Sequence, residues 1–263
     1  MNGNVQSRID GIIQNGYDFK FGDYIGKGFD LLQKNLGGFI LYALVTLVMI
    51  MVISFIPFLG NFANELVISP CMTAGAYLVA HQYARGESAE FGDFFKGFNY
   101  VSQLALVALV SGLIILASLI PFFFAANGHE LVSWYLDLMK NPAAIEQLGE
   151  PPVPPAWTFL LTLPAIYLAI AYSWAPLFVI FYNYSFWDAI ETSRKLITKK
   201  WGIVFLFTIV IGIIAAAGVI LLCIGLLATF PAMLCMTYSA FADVTQLGKE
   251  PEAGENIERH LVE

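Results

Sequence analysis

The sequence predicts an all-α integral membrane protein with six transmembrane helices. They form three parallel two-span repeats, each preceded by an amphipathic helix in the cytoplasmic interface, and both termini are cytoplasmic. Three observations lead there. Of 263 residues, 58% are hydrophobic and 13% charged, and the mean hydropathy is +0.71; soluble domains are about 45–50% apolar and about 25% charged. The apolar residues gather in blocks long enough to cross a bilayer. The basic residues fall on one side of the membrane only if the crossings number six. This composition excludes a water-soluble, disordered, collagen-like or disulfide-stapled protein, and a net charge of −7 makes nucleic acid a poor partner.

A helix rises about 1.5 Å per residue, so a hydrocarbon core of about 30 Å takes about 20 apolar residues to cross. Residues 1–20 form a cytoplasmic segment. Its opening, MNGNVQSRIDGIIQNGYDF, lacks a basic stretch followed by a continuous apolar run, so no cleavable signal is expected. The single membrane domain covers 21–247. Its first span is 38–59, GFILYALVTLVMIMVISFIPFL, and after the polar break Gly60-Asn61 comes a second at 62–84. Residues 101–126 and 157–183 give the third and fourth. The block from Ile203 to Val244 runs 42 residues without Lys or Arg, about twice one crossing, and is broken near Cys223-Ile224-Gly225 into two spans. A polar cytoplasmic tail follows at 248–263.

Lys and Arg collect on cytoplasmic loops because they are costly to translocate. Arg8, Lys20, Lys27 and Lys34 precede span one, Arg85 and Lys96 follow span two, and Arg194, Lys195, Lys199 and Lys200 follow span four. Lys249 and Arg259 lie in the tail. With six spans these share one side, and Lys140 alone falls on the other; five or seven spans would scramble the division.

Self-comparison supports a triplication over about 21–90, 91–184 and 185–247. FGDYIGKGF at 21–29 matches FGDFFKGF at 91–98, and SFWDAIETSRKLITKKW begins at Ser185. Asp23, Asp93 and Asp188 align. The second span of each unit carries a Pro followed by a Tyr: Pro70 and Tyr77, Pro176 and Tyr182, Pro231 and Tyr238. Each unit enters and leaves on one side, so the repeats are parallel rather than inverted.

The opening segments have helical periodicity. Ile25, Phe29, Leu32 and Leu36 share one face, as do Phe186, Ile190, Ser193, Ile197 and Trp201, with Phe91, Phe94, Phe95 and Phe98 as a shorter form. Such helices lie in the interface as connectors or dock a soluble partner, their Lys heads reaching water or anionic lipid. Arg194, Lys195, Lys199 and Lys200 are the candidate contacts to anionic lipid or to a cytoplasmic protein. An external insertion, 127–156, contains Leu131, Trp134, Tyr135 and Leu138 at helix spacing, is interrupted by Pro142 and ends in an extended stretch with Pro151, Pro152, Pro154 and Pro155. It serves as a lid, a spacer or a partner site.

Catalytic signatures are missing. The three histidines, His81, His129 and His260, include no HExxH pair, and there is no nucleophile elbow or phosphate-binding loop. The central thirds of the spans carry no ionisable Asp, Glu, Lys, Arg or His, whereas a charge at the bilayer centre costs about 2.5–3.5 kcal/mol and is retained where it is used. No cofactor and no metal are expected, and Cys71, Cys223 and Cys235 read as small buried hydrophobes. Prolines within spans free carbonyls and permit kinks. Pro70, Tyr77, Pro176, Tyr182, Pro231 and Tyr238 therefore line a lipid or apolar-ligand cavity, or are kinked helices packed together.

With its six spans, its Pro–Tyr helices and DAIETSRKLITKKWG before span five, the sequence resembles a family of uncharacterised bacterial six-span membrane proteins. It is similar to the membrane domain fused to some bacterial glycerophosphodiester phosphodiesterases. The resemblance covers about 20–247 and implies a bacterial cytoplasmic membrane. The soluble phosphodiesterase domain has no counterpart here, so neither activity nor site residues are implied. The reading is a non-enzymatic, lipid-facing accessory or scaffold protein, with membrane lipids as partners. The alternative is a permease subunit for an apolar substrate, driven by a separate ATPase that docks on 185–200.

Overall fold

The computed structural model describes residues 3–141, 149–220 and 225–248. Pro142 and Glu146 of the external insertion, Cys223 and Ile224 of the expected break, and tail residues 249–263 lie outside the described residues. Twelve helical elements are used below: α1 (Gly3–Asn15), α2 (Phe21–Lys34), α3 (Leu36–Ser54), α4, α5 (Val101–Ser118), α6 (Ile120–Ala125), α7 (Gly128–Lys140), α8 (Leu163–Ala171), α9 (Ala175–Tyr182), α10 (Phe186–Thr198), α11 (Trp201–Ile220) and α12 (Leu226–Val244). The composite α4 joins Leu59–Ala63, a π-helical turn at Asn64–Ile68 and Ser69–Ala84. Short 3₁₀ segments at Phe91–Tyr100 and Ala156–Thr162 lead into α5 and α8. No strand occurs among the described residues.

Among the described residues, five helical stretches are long and apolar enough to cross a membrane: Leu36–Ser54, Phe91–Ala125, Ala156–Tyr182, Trp201–Val219 and Leu226–Val244. The chain thus has the make-up of a multi-pass membrane protein. Composite α4 is not among the five; Asn61, Asn64 and Glu65 at one end and His81 and Gln82 at the other make it more polar. What it lacks in hydropathy it has in burial, since Cys71, Ala74, Val79 and Ala80 are wholly enclosed.

The helices sort into an inner and an outer set. Over their apolar windows, α3, the helix through α5 and α11 are only 22%, 11% and 28% buried, against 56% for both Ala156–Tyr182 and α12. The exposed residues of the outer set form continuous apolar stripes: Leu44, Val48, Met51 and Phe55 on α3, Leu109, Leu113, Leu116 and Ile120 on α5–α6, and Leu206, Ile209 and Ile213 on α11. A stripe of bare Leu, Ile and Val at helical spacing is a surface made for lipid. The inner helices α4, α9 and α12 meet one another instead, and Phe178 of α9 sits edge-on to Phe241 of α12 at 5.1 Å.

The opening segments do not lie apart from this bundle. Helix α2 packs along α12, the 3₁₀ segment 91–100 along α4, and α10 along α8 and α9. Small residues permit the approach. A methyl on Gly28 would stand 2.7 Å from the Met236 nitrogen, and one on Gly97 would stand 2.7 Å from the Gly75 nitrogen. The corresponding position of α10 is Ser193, fully buried. The buried face of α2 is Tyr24, Gly28, Leu31 and Leu32. It is rotated from the face expected from sequence, because Gly28 must be innermost, and Phe29 and Leu36 are left exposed. On α10 the expected Ile190, Ser193 and Ile197 are buried, together with Ala189, Thr192 and Leu196, while the expected Phe186 and Trp201 are half-buried.

The N-terminal segment, expected only as a cytoplasmic stretch without assigned structure, is folded onto the bundle. Ile9 and Ile12 of α1 are buried, Tyr184 donates to the Gln6 amide oxygen at 2.8 Å, and Tyr17 donates to the Leu196 carbonyl at 3.2 Å.

Candidate functional site

The C-terminal ends of the three inner helices converge at the end of the bundle that bears the basic residues. His81 of α4 has its ring 4.9 Å from Phe181 of α9 and 5.8 Å from Tyr238 of α12. The His81 Nδ1 and the Tyr238 hydroxyl are 2.7 Å apart. Phe181 also faces Tyr238 at 5.8 Å, so each inner helix supplies one ring to the junction. Beside it, Phe241 is touched by Trp174, Phe178 and Tyr182. Burial of these rings offsets the ordering of the three helices, and edge-on aromatic pairs add about 0.5–1.5 kcal/mol each beyond area alone.

The junction is bounded by polar groups that close its helix ends. Asp243, near the end of α12, accepts from the Tyr24 hydroxyl at 2.9 Å and pairs with Lys20 at 3.4 Å. Burial pushes the Tyr24 phenol well above its ordinary value, with the Asp243 carboxylate adding to the rise. Lys34 donates to the Tyr83 carbonyl at 2.6 Å, and Asn35 donates to the Tyr83 hydroxyl at 2.7 Å. Lys20 and Lys34 thus set cations at the C-terminal ends of α12 and α4, where the helix dipole favours them. Tyr184, in the α9–α10 connection, is pushed up to about 12 by burial.

The six residues of the expected cavity lie on the inner helices: Pro70 and Pro176 in the first turns of their segments and half-buried, Pro231 inside α12, and the three tyrosines buried or hydrogen-bonded. Tyr77 and Tyr238 are buried. Tyr182 donates to the Thr245 carbonyl at 3.2 Å. The backbone departs from regular α-helix ahead of two of the prolines: the π-turn 64–68 precedes Pro70 and a turn at 172–174 precedes Pro176. Pro231 is accommodated within α12. At the 172–174 turn, Ser193 of α10 accepts from the Trp174 amide at 3.2 Å and donates to the Ala171 carbonyl at 2.7 Å. A side chain from the next helix thus supplies the bonds that the interrupted helix lacks.

The four candidate basic contacts divide into two pairs. Arg194 forms a fork to Glu191, with bonds of 2.8 and 2.7 Å, and Lys195 reaches the same carboxylate at 3.4 Å. The fork holds the Glu191 carboxyl below the usual range and raises the guanidinium. Lys199 and Lys200, exposed in the α10–α11 turn, have no ion-pair partner among the described residues. Directly after them, Trp201 stacks on Phe205 at 5.0 Å, an arrangement suited to a membrane boundary.

Sequence reading did not single out Ser193 as a bridging group, nor the Tyr24–Asp243–Lys20 cluster. Gly28 and Gly97 were visible signals, since both stand before the final Phe of the matched FGD segments. Among the described residues, no group of three or more His, Cys, Asp or Glu is placed to hold a metal. Comparison of the chain with protein-family models, with curated proteins and with solved structures finds no match.

Proposed function

We propose that the protein is a six-span scaffold of a bacterial cytoplasmic membrane, non-enzymatic and lipid-facing, with both termini cytoplasmic. Composite α4 is the sixth span, enclosed by its neighbours rather than facing lipid. The observation that carries this reading is the cyclic docking of the three opening segments. Unit one's α2 lies on unit three's α12, unit two's 3₁₀ segment on unit one's α4, and unit three's α10 on unit two's α8–α9. Such a ring supports a triplication with an axis along the membrane normal. It also supports parallel spans, since three inner helices then end on the same side. The likeness to the membrane domain of certain phosphodiesterases fits this role, in which a membrane-embedded ring positions lipids or a soluble partner at its basic end.

The burial of Tyr77 and Tyr238 and the Tyr182–Thr245 hydrogen bond favour a packed scaffold over an open transport path. Lys199 and Lys200 supply the contact to anionic headgroups, each worth about 1 kcal/mol near such a surface. The test is gentle extraction of the tagged chain from native membranes, followed by mass spectrometry of retained lipids and proteins. A retained anionic lipid class, lost when Lys195, Lys199 and Lys200 are all changed to Gln, is the expected result. A stoichiometric ATPase would replace this reading with that of a permease subunit. Unchanged lipid retention in the triple variant would remove the role of the basic turn.

A further inference from the structure

Helix α7 carries three distinct faces. At about 100° per residue, Leu131, Trp134 and Leu138 form one strip, Val132, Tyr135, Leu136 and Met139 a second about 120° away, and Glu130, Ser133, Asp137 and Lys140 a third. The first strip is half-buried, and Trp134 donates to the Gly149 carbonyl at 3.2 Å. The third is polar and internally bonded, with Lys140 3.0 Å from Asp137. The second is apolar and bare, with exposures of 47%, 55%, 49% and 76% in chain order.

A helix in water beside a protein needs two faces, one apolar and one polar. A third, apolar and unpartnered, is what a helix lying in a bilayer interface beside its own bundle requires: one side to protein, one to acyl chains, one to water. Continuity points the same way. The exposed stripe of α5 and α6, Leu109, Leu113, Leu116, Ile120 and Phe124, ends at Ala126. Asn127, in the left-handed region at φ 52°, then turns the chain into α7. Gly128 lets the new helix start against Phe123 without a clash.

We infer that α7 lies in the lipid interface at the end of the bundle away from the basic segments. Val132, Leu136 and Met139 enter the acyl region, and the Tyr135 hydroxyl sits at headgroup level. The occupant of this face is the lipid of the host bilayer. The inference rests on the reading that 101–125 crosses the membrane.

The experiment uses the full chain, one copy per nanodisc of phosphatidylethanolamine and phosphatidylglycerol. Nitroxides are placed one at a time through Cys substitutions in a Cys223→Ser background, and accessibility to oxygen is compared with that to a nickel chelate. Oxygen should dominate at 132, 135, 136 and 139, the chelate should dominate at 133, 137 and 140, and both should be low at 134 and 138. Chelate access at 136 and 139 equal to that at 137 would overturn the inference, as would low access to both reagents at 136 and 139, which marks a protein occupant. Labels at Leu113 and Leu116 separate the two levels: if they report water, the spanning reading fails and this inference fails with it. Met139→Trp against Asp137→Trp in brominated lipid gives a second, label-free readout, with stronger quenching expected at 139.

Discussion

Two glycines of α2, Gly26 and Gly28, stand two residues apart and differ in what surrounds them. A methyl added at Gly26 meets nothing within 4 Å, whereas one at Gly28 meets the backbone and side chain of Met236. Gly26→Ala should therefore show only the helix-propensity gain, about 0.5–1 kcal/mol of added stability. Gly28→Ala receives the same gain but must push α2 away from α12, and inserting a methyl into a closed contact costs about 1–3 kcal/mol. Gly26→Ala should accordingly be the more stable variant by about 1–3 kcal/mol, and Gly28→Ala less stable than the parent or at best level with it. Met236 Cγ can swing aside, but the Met236 backbone nitrogen cannot, so side-chain adjustment does not remove the cost. The assay is reversible unfolding in mixed micelles, with both variants and the parent measured side by side. Gly28→Ala as stable as Gly26→Ala would refute the close docking of α2 on α12, and with it the closure of the ring.

Three further outcomes follow from the same geometry. Ser193→Ala removes a buried hydroxyl that serves both Ala171 and Trp174, and should destabilise by about 1–3 kcal/mol; Ser193→Thr tests whether the hydroxyl alone suffices. Tyr238→Phe leaves the His81 Nδ1 without its partner while keeping the ring packing, and a loss of about 0.5–1.5 kcal/mol in the same assay is expected. The Glu191 carboxyl is held low by Arg194, so its folded value lies below its unfolded one. Its stabilising contribution is then full above the unfolded value, about 4.3, and is lost as pH falls through the folded one. The melting difference between the parent and Glu191→Gln should therefore be largest at neutral pH and shrink in acid; a constant difference would count against the Arg194 fork as its source.

The helices most legible in the sequence were those with bare apolar stripes, and the reason is physical. A helix such as α3 or α11 must be Leu-, Ile- and Val-rich around most of its circumference, so its hydropathy is unmistakable. Composite α4 faces protein, and it can carry Thr73, Gly75, Tyr77 and His81 because its neighbours cover them. Hydropathy, which measures affinity for lipid, therefore reads it least well. Amphipathic segments were legible as helices, but an apolar face looks the same in sequence whether lipid or protein covers it. Only Gly28, Gly97 and Ser193 mark α2, the 3₁₀ segment and α10 as closely docked, and their meaning depends on partners far along the chain. Helix α1 was missed because its apolar residues, Val5, Ile9, Ile12 and Ile13, are few and sit among polar ones.

The bond between Tyr24 and Asp243 spans 219 residues of chain, and this sets a timetable for biosynthesis. At roughly 5–20 residues per second, α2 emerges roughly ten to forty seconds before the helix it docks on exists. During that interval the Gly28 face of α2 has no Met236 to close on. The domain can close only when its final helix is inserted, so a chain stopped short of α12 leaves the first unit open.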